Sequence, residues 1–337
     1  MSNKYIKWLI FTVVLVLLVI FAAGFSLVTG DMDIKAGEIA SILSSKTGIE
    51  YAVLKHIRLP RIIMAIAVGG GLSLTGAILQ GIYRNPLVEP YTLGISGGAA
   101  LGVALVVVTG LHLSVGSFML PFAGFTGAIV TIFMVYFLSI KKGAIDINRM
   151  LLIGVMISFV ASSGMMFLMS MTTSDNLHGI VFWMMGSLEE PNTMLVNTVL
   201  YASLGGLFLS YFFARPLNAL RLGQEKARHL GINTTVSVRV LFVIASVLTG
   251  ICVSVAGVIG FVGLVIPHLI RIIIGSDYRI MLIGSFLGGS FFLLVSDIIA
   301  RTIISPNELP IGVITGIAGG LVFIIVLSRA GLRNRVT

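Results

Sequence analysis

The sequence predicts an all-α integral membrane protein of about ten transmembrane helices, in two related halves, with both termini in the cytoplasm. Of its 337 residues 57% are hydrophobic and only 10% are charged, and the mean hydropathy is +1.08. Soluble domains carry about 25% charged residues, so this chain has too few charges to cover a surface in water. Long apolar runs and a one-sided distribution of Lys and Arg also indicate a protein that crosses the membrane several times. We predict a single transmembrane domain over residues 1–337.

Ten apolar segments are long enough to cross a bilayer, which requires about 20 residues in a helix. The first follows Lys4 and Lys7. Its apolar stretch of about 21 residues is longer than the apolar core of a signal peptide, so we interpret it as a retained helix. The predicted spans are 8–28, 60–82, 92–110, 117–139, 150–171, 192–213, 236–256, 258–274, 280–300 and 311–328.

The distribution of Lys and Arg orients these spans, because cytoplasmic loops carry an excess of both residues. With the N-terminus inside, 16 of the 22 fall on the cytoplasmic side. An even number of spans then returns the C-terminus to the cytoplasm. The six on the opposite side are Lys35, Lys46, Lys55, Arg58, Arg61 and Arg301.

An internal repeat supports the two related halves. Residues 69–94, shifted by 181 positions, fall on 250–275 with glycines, serine and proline in the same order. The shift spans five helices, so the second copy is inverted relative to the first, as in many transporters. The identities pair Gly69 with Gly250, Ser73 with Ser254, Gly76 with Gly257, Ile78 with Ile259, Pro86 with Pro267 and Gly94 with Gly275.

The chain carries none of the common motifs of an enzyme. It has no GxxxxGK[ST] phosphate loop, no HExxH and no CxxC, and its five histidines are scattered. We therefore predict no catalytic residue, no bound metal and no cofactor on this chain. The net charge of +9 is spread singly between apolar runs, which argues against a nucleic-acid partner.

A polar segment, residues 215–235, is the longest interruption on the predicted cytoplasmic side. Its spacing predicts two short helices separated by Gly223 and ended by Gly231. A simple connection could be much shorter, so the segment indicates a docking site for a cytoplasmic partner. The alternative is a solvated linker lying on the membrane.

Three arginines on the outer side, Arg58, Arg61 and Arg301, break the charge bias and lie at span ends. They could extend to lipid headgroups. They could instead form a cationic rim that docks an acidic extracytoplasmic protein. Asp297 lies four residues before Arg301 on the same helix face, so the two could form an ion pair. A proton-relay role for Asp297 is the alternative.

The span 150–171 is rich in methionine, and Met165 and Met169 share one helix face. Methionine packs adaptably, so this density is consistent with an ordinary core. A flexible pathway lining for a bulky ligand is the second interpretation.

Taken together, long ordered motifs resemble the iron-chelate/vitamin B12 ABC permease family over residues 58–328. One departure is Gly319–Phe323, which lacks the proline that the family usually has in the last span. The motifs are RLPR (58–61), LQGIYRNPLVEPYTLGISGGAALG (79–102), WMMGSL (183–188), LNALRLGQEKARHLGI (217–232), AGVIGFVGLVIPHLIR (256–271) and DIIARTIISPNELPIGVITG (297–316).

The resemblance implies the membrane subunit of a binding-protein-dependent importer for ferric siderophore, haem or cobalamin. It implies a homodimer enclosing the pathway, in a bacterial or archaeal cytoplasmic membrane. Two cytoplasmic ATPase subunits would bind Mg-ATP, and an extracytoplasmic solute-binding protein would deliver the cargo. A molybdate or tungstate importer of the same family and an ion-coupled secondary transporter remain alternatives.

The resemblance also implies roles for particular residues. The docking positions for the binding protein would be Arg58, Arg61 and Arg301. The gate and pathway would include Ile147, Asn148, Met156, Met165 and Met169. The ATPase-coupling segment 217–232 would act through Leu217, Asn218, Leu220, Leu222, Gly223, Glu225, Ala227, Arg228, Leu230 and Gly231.

Overall fold

The computed structural model describes residues 2–30, 32, 34–116, 118–141, 144–304 and 307–333. Within these residues, seven helices are long and apolar enough to cross a membrane, and three shorter apolar helices bring the number to ten. Each of the ten coincides with one predicted span. The predicted fold class, an all-α membrane protein of about ten spans, is therefore confirmed.

The helices are α1 (Ser2–Val28), α2 (Ile39–Ser45), α3 (Ile49–Val53), α4 (Leu59–Tyr83), α5 (Ile95–Val108), α6 (Leu111–Val115), α7 (Met119–Leu138), α8 (Ile147–Met171), α9 (Ser174–Met185), α10 (Thr193–Tyr211), α11 (Ala214–Leu220), α12 (Gln224–His229), α13 (Thr234–Ala256), α14 (Val262–Ile274), α15 (Tyr278–Thr302) and α16 (Ile311–Arg333). Short 3-10 helices cover Ala36–Glu38 and Pro90–Leu93, and a π-helix covers Leu54–Arg58. Strands β1 (Ile140–Lys141) and β2 (Ala144–Ile145) form a minimal antiparallel pair.

Helix α4 is the central helix of the fold and is almost entirely buried. Its glycines let neighbouring backbones approach closely. A Cβ atom at Gly69 would lie 2.4 Å from the carbonyl oxygen of Gly289 in α15. One at Gly76 would lie 1.8 Å from the carbonyl oxygen of Gly263 in α14. The glycines of α4 therefore serve backbone-to-backbone packing.

Two of the ten spans, α5 and α14, are short: the 3-10 helix Pro90–Leu93 precedes α5, and irregular backbone precedes α14. These two preceding segments contact each other: the Tyr91 hydroxyl donates to the Ile259 carbonyl at 2.9 Å and accepts from the Ile259 N–H at 3.0 Å. Such pairing satisfies backbone groups that lipid could not. In the internal repeat, the 181-residue shift aligns 257–261 with residues inside the continuous helix α4. The segment 257–261 itself lies between α13 and α14, so the two halves differ in local structure at these positions.

Contacts at the helix ends divide the molecule into two sides. Lys4 donates to Asp277 at 3.1 Å, and so does the Asn218 amide at 2.9 Å, so the start of α1, helix α11 and the start of α15 lie at one end. The C-terminal end of α1 contacts Arg58 and Arg301 at the opposite end. This grouping agrees with the predicted inner and outer sides.

Candidate functional site

The outer end contains a cluster of three arginines and three carboxylates, here called the outer arginine cluster: Arg58, Arg61, Arg301, Glu189, Asp297 and Glu308. Its first member is positioned by a change in helix geometry. The Leu59 N–H bonds the Leu54 carbonyl five residues back, directly before Pro60. Proline has no N–H and crowds the preceding turn, which is consistent with a wide π-turn at this place.

Arg58 caps the end of α1. Its Nη1 donates to the Leu27 carbonyl and its Nη2 donates to the Met32 carbonyl, each at 2.5 Å. The last carbonyls of a helix have no partner within the helix, and a cation there is favourable. Arg58 therefore fixes the outer end of α1 against α4.

Arg301 contacts the same region of α1 from the opposite side. Its Nη1 donates to the Thr29 carbonyl at 2.9 Å, and its Nη2 donates to the Ser26 hydroxyl at 2.7 Å. Its Nε donates to Asp297 at 3.0 Å. The ion pair predicted between Asp297 and Arg301 is thus present in the structure.

Arg61 joins three carboxylates from three parts of the chain. Its Nε donates to Asp297 at 2.9 Å, and its Nη1 donates to Glu189 at 3.0 Å. The two terminal nitrogens together grip Glu308, at 3.0 and 2.5 Å. Asp297 is only 1% exposed and binds both Arg61 and Arg301, so it is the shared counter-ion of the cluster.

The three arginines predicted to form a docking rim are buried in this structure. Arg58, Arg61 and Arg301 are 4%, 6% and 7% exposed, and all three bind partners within the chain. Three positive and three negative charges balance, so the cluster has little net charge to attract an acidic protein from a distance. A role in docking stays a prediction, and the arginines would have to exchange partners to fulfil it.

Sequence reasoning missed the two glutamates of this cluster. Glu189 lies between α9 and α10, and Glu308 lies just before α16. Both fall in connections more than 100 residues away from Arg61 along the chain. Glu308 stands in the NELP part of the motif at 297–316, and an acid two residues before a proline at the start of a span was the available signal.

The inner end carries the predicted coupling segment, and the two short helices expected there are present as α11 and α12. Gly223 and Gly231, with φ of 108° and 79°, occupy the left-handed conformations that separate and end them. Leu217, Leu220 and Ala227 are no more than 1% exposed and belong to the main core. These three side chains anchor the segment from the core and do not face outward, and their part in coupling stays a prediction.

Other members of the segment do face solvent. Leu222 and Leu230 are 57% and 62% exposed. Asn218 points inward and accepts from the Tyr278 N–H at 3.0 Å while it donates to Asp277. The surface that a partner could contact comprises Leu222, Glu225, Lys226, Arg228, His229, Leu230 and Gly231.

The predicted gate and pathway residues do not share one surface. Met165 is 6% exposed, and it packs with the partly buried Met169 against α5 and α9. Met156 is 51% exposed. It precedes Met165 by nine residues, which places it on the opposite face of α8. Ile147 is partly buried and Asn148 is exposed at the first turn of α8.

Helix α8 starts at a defined cap. The Asp146 side chain accepts from the Arg149 N–H at 3.1 Å, which satisfies a backbone group at the helix start. Among the described residues, no group of three or more His, Cys, Asp or Glu side chains is placed to hold a metal ion.

Comparison with known proteins agrees with this architecture. The profile of the FecCD transport family matches residues 15–329. The chain is 36% identical over 321 residues to the hemin transport system permease HmuU of Yersinia pestis, covering 94% of each. It is 35% identical over 337 residues to the iron(3+)-hydroxamate import permease FhuG of Bacillus subtilis, covering 98% of this chain and all of FhuG.

Vitamin B12 permeases and a solved structure are also similar. The chain is 34% identical over 330 residues to BtuC of Salmonella paratyphi A, covering 98% of this chain and 97% of BtuC. A structure described as an inward-facing metal-chelate type ABC transporter superposes with a TM-score of 0.82 at 28% identity, covering 95% of this chain and 99% of that one. The chain therefore belongs to the FecCD transport family and is a membrane permease of the metal-chelate or vitamin B12 type of ABC importer.

Proposed function

We propose that two copies of this chain enclose the pathway of a binding-protein-dependent ABC importer for a ferric siderophore, haem or cobalamin. The coupling segment 217–232 carries the proposal. Its buried residues fix the segment to the core, while its outer surface exposes two leucines among charged side chains. Such a mixture of apolar and charged groups is expected of a surface that binds another protein. Two cytoplasmic ATPase subunits would contact it and supply Mg-ATP hydrolysis, since this sequence has no phosphate loop.

Helix α15 offers a direct mechanical route between the two ends. At its inner end, the coupling segment is tied to Asp277 and Tyr278 through the two hydrogen bonds of Asn218. At its outer end, the same helix carries Asp297 and Arg301 of the outer arginine cluster. Movement of the segment by the ATPases would therefore displace a helix that also forms the outer docking region.

Transport on this scheme is a shift between two conformations, each favoured by a different partner. The loaded binding protein would stabilise the state open to the outside. ATP binding and hydrolysis on the inner side would then favour the alternate state. The membrane chain contributes no covalent step, only packing and charge arrangements that differ between the states.

The environment of Asp297 argues against the ion-coupled alternative. A carboxylate that relays protons needs a route to a donor and an acceptor, whereas Asp297 is 1% exposed and its two oxygens accept from Arg61 and Arg301. Cargo within the ABC class rests on the relatives, which are named for hemin, iron-hydroxamate and vitamin B12. An importer of molybdate or tungstate is the remaining alternative of the same family.

Reconstitution in proteoliposomes tests the proposal. The permease is combined with its cognate ATPase and binding protein, and ligands are first ranked by their thermal stabilisation of that binding protein. Candidate ligands are a ferric siderophore, haem, cobalamin and molybdate. We expect ATP-dependent uptake of one metal chelate that is insensitive to a protonophore. Uptake that collapses with the protonophore while ATP is held constant would establish the ion-coupled alternative.

A further inference from the structure

We propose that Glu189 and Glu308 occupy Arg61 as internal substitutes for a partner's carboxylate, and that the docking protein must exchange with them. This inference rests on the proposed function, because the partner is the acidic surface of the solute-binding protein. It assigns a role to two residues outside the family-derived docking set. It also explains how a buried, neutralised arginine could still take part in docking.

The three carboxylates on Arg61 are not equivalent. Asp297 is almost fully buried and binds a second arginine, so it is a fixed part of the core. The side chain of Glu308 is 36% exposed and that of Glu189 is 60% exposed. Exposed ion pairs contribute little to stability, because water screens the charges and competes for the hydrogen bonds. The contacts of Glu308 and Glu189 with Arg61 are therefore the ones that can be released.

The Arg61 guanidinium has no free edge for an incoming carboxylate while both glutamates are in place. Glu308 takes the two-pronged contact with its terminal nitrogens, the strongest arrangement that an arginine offers to a carboxylate. Glu189 takes a further donor on Nη1. A second carboxylate can obtain the same two-pronged contact only when Glu308 moves away.

Space for the exchange lies beside the guanidinium. A cavity of about 360 Å³ and another of about 250 Å³ are both lined by Arg61, Glu189 and Glu308. The second cavity also reaches Arg58 and Arg301. An acidic side chain entering there would meet all three arginines of the cluster without passing through the packed helices.

The exchange would also release a connection between helices. Glu189 follows α9, and Glu308 precedes α16, so Arg61 of α4 ties both segments together. The same two helices meet nearby, where a Cβ atom at Gly312 would lie 2.4 Å from the Met185 carbonyl. Docking that withdraws Arg61 from the glutamates therefore loosens α9 and α16 from α4.

The test measures binding of the cognate binding protein to the complete permease–ATPase complex in nanodiscs. The variants are Glu308→Gln and Glu189→Gln. The matched control is Glu190→Gln. The Glu190 side chain accepts from the Asn192 N–H at 2.8 Å, and it takes part in none of the arginine ion pairs found among the described residues. We expect Glu308→Gln to tighten binding about fivefold or more, since a competing internal contact is removed. Glu189→Gln should tighten it less, and the control should leave it unchanged.

The outcomes distinguish the proposed carboxylate exchange from the proposed function on which it rests. Unchanged or weaker binding by both variants, with normal binding by the unmodified complex, overturns the exchange alone. No binding of any binding protein to the unmodified complex overturns the proposed function as well. If Glu308→Gln does not fold, the more exposed Glu189→Gln decides the question by the sign of its effect.

Discussion

The two ends of this protein handle their charged residues in opposite ways. At the outer end, three arginines are buried, and two of them, Arg61 and Arg301, form ion pairs with three carboxylates of the same chain. At the inner end, Lys226, Arg228 and His229 are exposed on α12, while Leu217 and Leu220 hold the segment from below. The outer end is thus a buried charge network, and the inner end is an exposed surface.

This contrast teaches that a basic residue at a span end does not by itself indicate an exposed cation. What decides is whether carboxylates from other connections reach it. The outer connections bring Glu189 and Glu308 to Arg61. At the inner end, only Asp277 is seen to receive a basic side chain, Lys4, among the described residues.

The comparison assumes that both ends rest on one rigid central helix, and Gly76→Ala should remove that support. The new Cβ atom would lie 1.8 Å from the Gly263 carbonyl oxygen, a backbone atom that cannot move aside easily. We expect loss of more than about 4 kcal/mol and little folded protein. Size-exclusion chromatography in detergent measures this. Gly205→Ala is the control, because nothing lies within 4 Å of its Cβ position; equal behaviour of both variants would contradict the packing.

The closed outer network predicts a large effect for Asp297→Ala. The change leaves two buried arginines without their shared counter-ion, and breaking a buried pair costs about 3–5 kcal/mol. Thermal unfolding of the purified permease measures it. Glu38→Ala is the control, because its contact with Lys35 is long, 3.7 Å, and exposed. A similar melting temperature for both variants would show that the outer network is not closed.

The open inner surface predicts that Leu222→Ser with Leu230→Ser weakens ATPase binding about tenfold and leaves permease stability unchanged. Leu220→Ala is the contrasting variant, because Leu220 is 1% exposed and its truncation should cost about 2–5 kcal/mol. Pull-down with the cognate ATPase and thermal unfolding separate the two effects. Loss of stability in the double variant would mean that the inner surface is buried by its own chain.

The smallest effect concerns Asp277, the inner-end carboxylate. Burial raises its pKa, but hydrogen bonds from Asn218 and the Arg279 N–H, then the Lys4 ammonium, outweigh burial and hold the pKa below its ordinary value of 3.8. A lowered pKa contributes stability above 3.8 that is lost as the pH falls through the folded-state value. Unfolding of Asp277→Asn, measured from pH 6 to pH 3, should show a weaker pH dependence than the unmodified chain. An identical pH dependence would contradict this.

Much of the fold could be predicted because its signals are local. Each span is a contiguous apolar run, and the helices α11 and α12 are delimited by Gly223 and Gly231 within one polar segment. The pair formed by Asp297 and Arg301 follows from spacing within one helix. None of these features depends on how distant parts of the chain meet.

The misplaced features all depend on long-range packing. The burial of Arg61 requires Glu189 and Glu308, which only the folded helices bring near it. Met165 faces α5 and α9 because of how α8 is rotated, and methionine content alone cannot reveal that rotation. Likewise, the break at 257–261 is held by Tyr91, from a connection in the other half of the chain.

The placement of α1 has a consequence for biosynthesis. This helix leaves the ribosome long before α15, yet α15 and its cap residue supply two of its contacts: Lys4 binds Asp277, and the Ser26 hydroxyl binds Arg301, 275 positions later. Until α15 inserts, α1 has its outer-end contact with Arg58 but lacks the contacts with Asp277 and Arg301. The contact between α1 and α15 joins the first helix to one of the last. Because it links residues so far apart in sequence, this step has a high contact order and completes assembly only after most of the chain is in the bilayer.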